Sequence, residues 1–166
     1  MNTQRHSSDP HRRTSKSAPP PGEWMQRDRF RHITRLATRW ADMDWFKHIN
    51  NVQYAQYFES ARMNYFNHVI NLSFDPAETA GLIIAQLNIT FIRQVEHPAM
   101  LNIGTAVNRV GNASIRLRSA IFVGTAQQPA ALSEETVVWF NYPKQRSEPI
   151  PDRIRALIRT FERRDV

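Results

Sequence analysis

Residues 50–70, NNVQYAQYFESARMNYFNHVI, set the architecture of this 166-residue chain. Tyr54, Tyr57, Phe58, Ala61, Tyr65, Phe66 and Val69 recur at helical spacing, so one broad face of a long helix is apolar. Asn50 is suited to cap it, with Gln53 three residues on as a capping-box partner. Ile49 and Tyr54 stand where a hydrophobic staple would place them. The pattern predicts an end near residues 70–71, with NLSFDPAETAG as a loop. So many aromatics on one helix require cover from more than one side.

Beyond Gly81 the period changes to two. LIIAQLNITFIRQ (82–94) reads as one long strand, with Leu87, Ile89 and Phe91 on one face. MLNIGTAVNRVG, NASIRLRSAIFVG and AALSEETVVWFNY read as three more, separated by turns at residues 97–98, 111–112 and 124–129. Such short connections suit antiparallel neighbours. PDRIRALIRTFERR returns to helical spacing, with Pro151 near its first turn. Before the long helix, HITRLATRW alternates as a strand. The order strand, long helix, four strands, short helix predicts an α+β fold, one antiparallel sheet of about five strands curled around the helix.

Residues 1–28 are polar, basic and proline-rich, which predicts a disordered tail ahead of a single domain at 29–166. The tail has no apolar core of the kind a signal peptide needs. No run is long enough for a membrane helix. The chain has no cysteine, which excludes disulfides, thiolate metal sites and a cysteine nucleophile and fits a reducing, cytoplasmic compartment. The formal charge of +7 is concentrated at the two ends. It fits solvated charge with a contribution to an anionic ligand better than a nucleic-acid surface, which would need aromatic platforms and a basic motif in one place.

The chemistry lies in ADMDWFKHINN (41–51), between the first strand and the helix. The first N–H groups of a helix have no internal partner and carry the positive end of its dipole, so they can hold a developing oxyanion. Asp44, a few residues upstream, can face the same space. A carboxylate and a free N–H around one gap are minimal equipment for attacking a carbonyl. They suit a thioester, whose thiolate leaves without strong protonation; an amide would need a general acid, and only His48 is nearby. Asp42 points the other way if the alternation persists, and orders the turn. Glu59 with Arg62 at i+3 reads as a salt bridge. Asp42, Asp44 and His48 are too loosely spaced for a metal site. No P-loop, dinucleotide fingerprint or G-x-S-x-G is present.

RWADMDWFKHINNVQYAQYFESAR (39–62) resembles the signature of the 4-hydroxybenzoyl-CoA thioesterase-like acyl-CoA thioesterases, roughly W-x-D-M-D-x-x-G-H-V-N-N-x-x-Y-x-x-Y-x-E-x-A-R. LNITFIRQV resembles that family's central strand with its aromatic-x-Arg, VNRVGNASIRLR its R-x-G-x-S-S-F turn, and EPIPDRIRAL its final helix. The likeness spans about residues 30–161. It implies the hot-dog fold, a five-stranded antiparallel sheet wrapped around one long central helix. It also implies a homodimer or homotetramer with sites at the interface, and hydrolysis of acyl-CoA without a cofactor. By register it carries the catalytic carboxylate onto Asp44 and the oxyanion-binding N–H onto Asn51, with His48 in support. Tyr54 and Tyr57 would line the acyl pocket, with Phe58 packing beneath. Lys47 stands at the family's usual glycine and can meet the anionic CoA. If that glycine needs a positive φ, lysine is strained there. Gln94 stands where proline is frequent. Arg93, Arg109, Arg116 and Arg118 are candidates for the CoA phosphates, the last two sharing a strand face. The alternative function is a hot-dog protein that binds acyl-CoA or an acyl carrier without turnover. The hydratase branch is disfavoured, since its Asn-Pro is missing here.

Overall fold

The computed structural model describes residues 26–72, 79–163 and 166. Most of the expected tail, and most of the loop expected after the long helix, lie outside them. Five strands and two helices carry the fold: β1 (His32–Ala37), α1 (Asn51–Ile70), β2 (Ala80–Phe91), β3 (Met100–Val110), β4 (Ser114–Val123), β5 (Ala131–Asn141) and α2 (Asp152–Glu162). A two-residue strand, β6 (Arg146–Ser147), pairs with β5; it is too short to leave a periodic signal in sequence. Arg27 and Asp28, assigned to the tail from sequence, belong to a 3-10 turn at Arg27–Arg29.

All pairings are antiparallel, in the order β1-β3-β4-β5-β2. β3, β4 and β5 form a meander. α1 carries the chain from β1 at one edge to β2 at the other, so the helix must cross the sheet's face. Register shifts at Ile84/Gln86 and Val107/Arg109 bend the strands, and such bulges increase local twist and curl. The result is the hot-dog arrangement, a curled antiparallel sheet with one long central helix.

The helix buries the face foreseen from its spacing: Tyr54, Tyr57, Phe58, Ala61, Tyr65, Phe66 and Val69 are all buried. Each large side chain removed from water contributes about 1.5–3 kcal/mol. The helix ends at Ile70, and Asn71 takes the left-handed conformation that closes many helices. Arg62 is buried too, and it pairs with Glu135 of β5, whose other oxygen accepts from Ser133. The expected Arg62–Glu59 bridge is not made: Glu59 is exposed while Arg62 faces the sheet. A buried charge needs its countercharge inside, and a surface glutamate cannot supply it.

Candidate active site

Between β1 and α1 the chain makes a 3-10 turn (Trp40–Asp42) and a tight loop. Asp42 ties this loop down. Its carboxylate is buried and accepts from the Tyr57 hydroxyl at 2.6 Å, from Arg39 N at 2.7 Å and from Arg39 Nε at 3.0 Å. Its carbonyl accepts from Asn50 N at 2.9 Å, so one residue joins the turn, the helix cap and the helix body. Burial alone pushes the Asp42 carboxyl up, but the hydrogen bonds from Tyr57 and Arg39 outweigh it and hold the group below the usual carboxylate range. Burial and the same bond push the Tyr57 hydroxyl up.

Asp44 behaves differently. Its Oδ1 accepts from Phe46 N at 2.8 Å and from His48 N at 3.3 Å, an Asx-type turn closed by Asp44 N donating to the His48 carbonyl at 2.8 Å. Among the described residues nothing bonds its Oδ2. Lys47, at the tip of this turn, has φ 67°, so the position does require the left-handed conformation that glycine adopts without cost. Its side chain is exposed.

At the start of α1 the Asn50 side chain accepts from Val52 N at 3.0 Å, and Gln53 N donates to Asn50 O at 2.9 Å. The Gln53 side chain accepts from Arg39 Nη2 rather than closing a capping box. Among the described residues no acceptor takes the Asn51 N–H, which leaves one donor at the positive end of a 20-residue helix.

Asp44 and Asn51 line one cleft of about 550 Å³, together with His48, Tyr54 and Arg93. Phe91 and Ile92, at the end of β2, form its apolar side, and the Phe91 and Tyr54 rings meet edge-to-face at 5.1 Å. Burial pushes the Tyr54 hydroxyl up, against the pull of Arg93. The cleft can therefore place a carbonyl between a carboxylate and a free N–H, with aromatic walls for an apolar substituent. The contribution of Phe91 and Ile92 was not foreseen, although the aromatic-x-Arg spacing of Phe91 and Arg93 marks the place.

His48 contributes to Asp44 through its backbone rather than its ring. The ring Nε2 lies 3.9 Å from Glu96 Oε1. Tyr57, expected in the acyl pocket, does not line the cleft, because its hydroxyl is drawn to Asp42 beneath it. Phe58 is fully buried in the core below. Arg116 and Arg118 share a strand face as expected, but strand alternation puts that face outside, away from α1 and the cleft. Arg118 pairs there with Glu134 at 2.8 Å, and Arg109 lies opposite Arg116 in the ladder. Among the described residues no group of three His, Asp or Glu side chains is arranged to hold a metal ion, and no helix is long and apolar enough to cross a membrane.

Known proteins resemble this chain in sequence and fold. The chain is 24% identical over 132 residues to the chloroplastic acyl-acyl carrier protein thioesterase ATL2 of Arabidopsis thaliana, covering 79% of this chain and 70% of that one. Its fold superposes on the PA5185 protein of Pseudomonas aeruginosa with a TM-score of 0.76 at 23% identity, over 82% of this chain and 95% of that one. A Thermus thermophilus thioesterase crystallised with coenzyme A and zinc gives a TM-score of 0.71 at 26% identity, over 82% of this chain and 98% of that one. The sequence model of the thioesterase-like superfamily matches residues 38–158, from the end of β1 into α2 and so across the whole cleft, and the chain is a member of that superfamily.

Proposed function

We propose that the chain hydrolyses acyl-CoA thioesters to a free acid and CoA. The observation that carries this reading is the shared cleft. Asp44, its carboxylate fixed through one oxygen, and Asn51, whose N–H meets no acceptor among the described residues, both line it. With the thioester carbonyl oxygen on Asn51 N–H, the negative charge that develops there meets a donor already in place. Asp44 either attacks the carbonyl carbon, giving an anhydride that water opens, or takes a proton from the water that attacks. In both routes the carbon–sulfur bond breaks, and the thiolate departs and is then protonated. His48 lines the cleft where its ring can serve the leaving sulfur or the water. Tyr54 and Phe91 flank the acyl group, and Lys47 and Arg93 meet the CoA phosphates at the mouth. The coenzyme A held by the Thermus thermophilus structure supports a CoA-borne substrate. The Arabidopsis relative's name makes an acyl carrier protein the second substrate class.

A second copy of the chain completes the cleft in this reading. β2 ends the sheet, so one side of its 12-residue backbone is unpaired among the described residues. Phe91 and Ile92 at its end are 51% and 42% exposed, and Trp45 and Phe46 on the neighbouring loop are 93% and 76% exposed. Contiguous apolar surface of this kind marks an interface, and an unpaired edge strand is a template for pairing.

The test is Asp44→Asn assayed against acyl-CoAs of graded length with one aryl member. The amide keeps an oxygen for Phe46 N and His48 N, so the loop is preserved while the charge is removed. Turnover is expected to fall at least about a hundredfold, with CoA binding retained. Near-normal turnover by the variant would refute the assignment. Tight acyl-CoA binding without hydrolysis by the wild type would favour the non-catalytic alternative.

A further inference from the structure

The outer face of the sheet, turned away from α1, carries a second hollow. Its construction starts at Gly104 on β3. A Cβ there would come within 2.3 Å of the Phe30 ring, so only the missing side chain lets Phe30 sit on the strand. Phe30 is buried and meets Phe122 of β4 edge-on at 6.1 Å, beside Ala106 and Ala120. This apolar anchor holds the preceding 3-10 turn against the outer face, where Arg27 Nη1 donates to the Gly124 carbonyl at 3.5 Å.

β1 brings a second guanidinium to the same place. Thr34 bonds Asn64 of α1, and Leu36 packs in the helix-facing core, so alternation turns Arg35 and Ala37 outward. Arg27 and Arg35, with Asn102 and Thr125, line a hollow of about 450 Å³. Ala37 and Met100 give it an apolar side. The Asn102 amide donates to the Gly124 carbonyl at 2.8 Å, so that one carbonyl fixes donors from two segments.

Two guanidinium groups lining one hollow repel each other. Among the described residues neither has a carboxylate within ion-pair distance, although Arg62 and Arg118 on the same scaffold both do. A guanidinium presents its donors in a planar fork that matches a phosphate or carboxylate edge. We propose that this hollow binds a phosphate group between Arg27 and Arg35, with the Thr125 hydroxyl beside it and the ligand's apolar body against Met100 and Ala37. The phosphate comes either from the nucleotide part of a CoA thioester or from a separate phosphorylated ligand.

Calorimetric titration of the full chain with inorganic pyrophosphate tests the site, and it does not depend on the hydrolytic reading. Saturable binding is expected, weakened about tenfold or more by Arg27→Ala and by Arg35→Ala, less by Arg35→Lys, and not by Arg109→Ala, an outer-face control. Michaelis constants separate the two sources. If Arg35→Ala raises KM for an acyl-CoA and not for the same acyl group on N-acetylcysteamine, the site holds the CoA phosphate. If neither constant moves while pyrophosphate binding is lost, it holds a separate ligand. No saturable binding, binding that survives loss of both Arg27 and Arg35, or equal weakening by Arg109→Ala would overturn the proposal.

Discussion

The Asp44 carboxylate spends one oxygen on two backbone amides, its other oxygen takes no bond among the described residues, and the residue lines the cleft. Two residues earlier, Asp42 is filled by Tyr57 and Arg39 and has no access to a substrate. Identical side chains thus meet opposite surroundings because one is buried under the loop and one lines the cleft. Lys47 supplies the residue-scale test of the loop. A left-handed backbone costs a residue with a Cβ about 1 kcal/mol or more, and Lys47 adopts it at φ 67°. Lys47→Gly is therefore expected to raise the unfolding free energy by roughly 0.5–1 kcal/mol after glycine's own entropic cost, and to raise KM for acyl-CoA through the lost ammonium. Denaturant unfolding and steady-state kinetics check the two effects. A less stable glycine variant would show that lysine is not strained there.

At the level of elements, the Asp42–Tyr57 bond is the tie between the 3-10 turn and the body of α1. Tyr57→Phe removes one charge-assisted hydrogen bond and is expected to cost about 1.5–3 kcal/mol, lowering kcat more than it changes KM as the loop loosens. The sign of the pH dependence follows from the carboxyl. Its folded value lies below the ordinary 3.8, so the stabilisation is complete above that value and is lost as pH falls through the lower folded value. The stability gap between wild type and Tyr57→Phe should hold at neutral pH and narrow below about pH 3.8; a gap that widens in acid would contradict the tie. The same bond shows what sequence can and cannot disclose. Helical spacing puts Tyr54, Tyr57 and Phe58 on one apolar face, and all are buried. Spacing does not say which hydroxyl turns to the cleft and which to a carboxylate 15 positions back. The five long strands, their turns and α2 were legible because period and turn chemistry are local. Arg62 with Glu135, 73 positions apart, was not, because a non-local partner leaves no trace in local spacing. Arg116 and Arg118 were legible as a pair on one face. The side of the sheet they occupy depends on where α1 crosses, which the strand alone does not specify.

For the molecule as a whole, the curled sheet leaves β2 as an edge beside an exposed aromatic rim. Sedimentation is expected to give a particle of two or four chains. Replacing Phe91 and Ile92 with aspartate should shift it toward single chains with loss of turnover, whereas a fully active single-chain particle would remove the second copy from the site. The fold's remaining contribution is to bring Asn51, the first residue of α1, to the cleft, where the proposed reading uses its amide. That amide can be deleted by itself. Proline lacks an N–H yet is accommodated at the first helical position, and Asn50, at φ −60° and ψ 139°, already has the conformation a following proline requires. The turnover number of Asn51→Pro, with Asn51→Ala as the variant that keeps the amide, is thus the most direct measurement. kcat should fall by about 10²–10³ in the proline variant, with thermal stability and the alanine variant's turnover close to wild type. A proline variant that is folded and hydrolyses thioesters at the wild-type rate would contradict the assignment of that amide as the oxyanion donor.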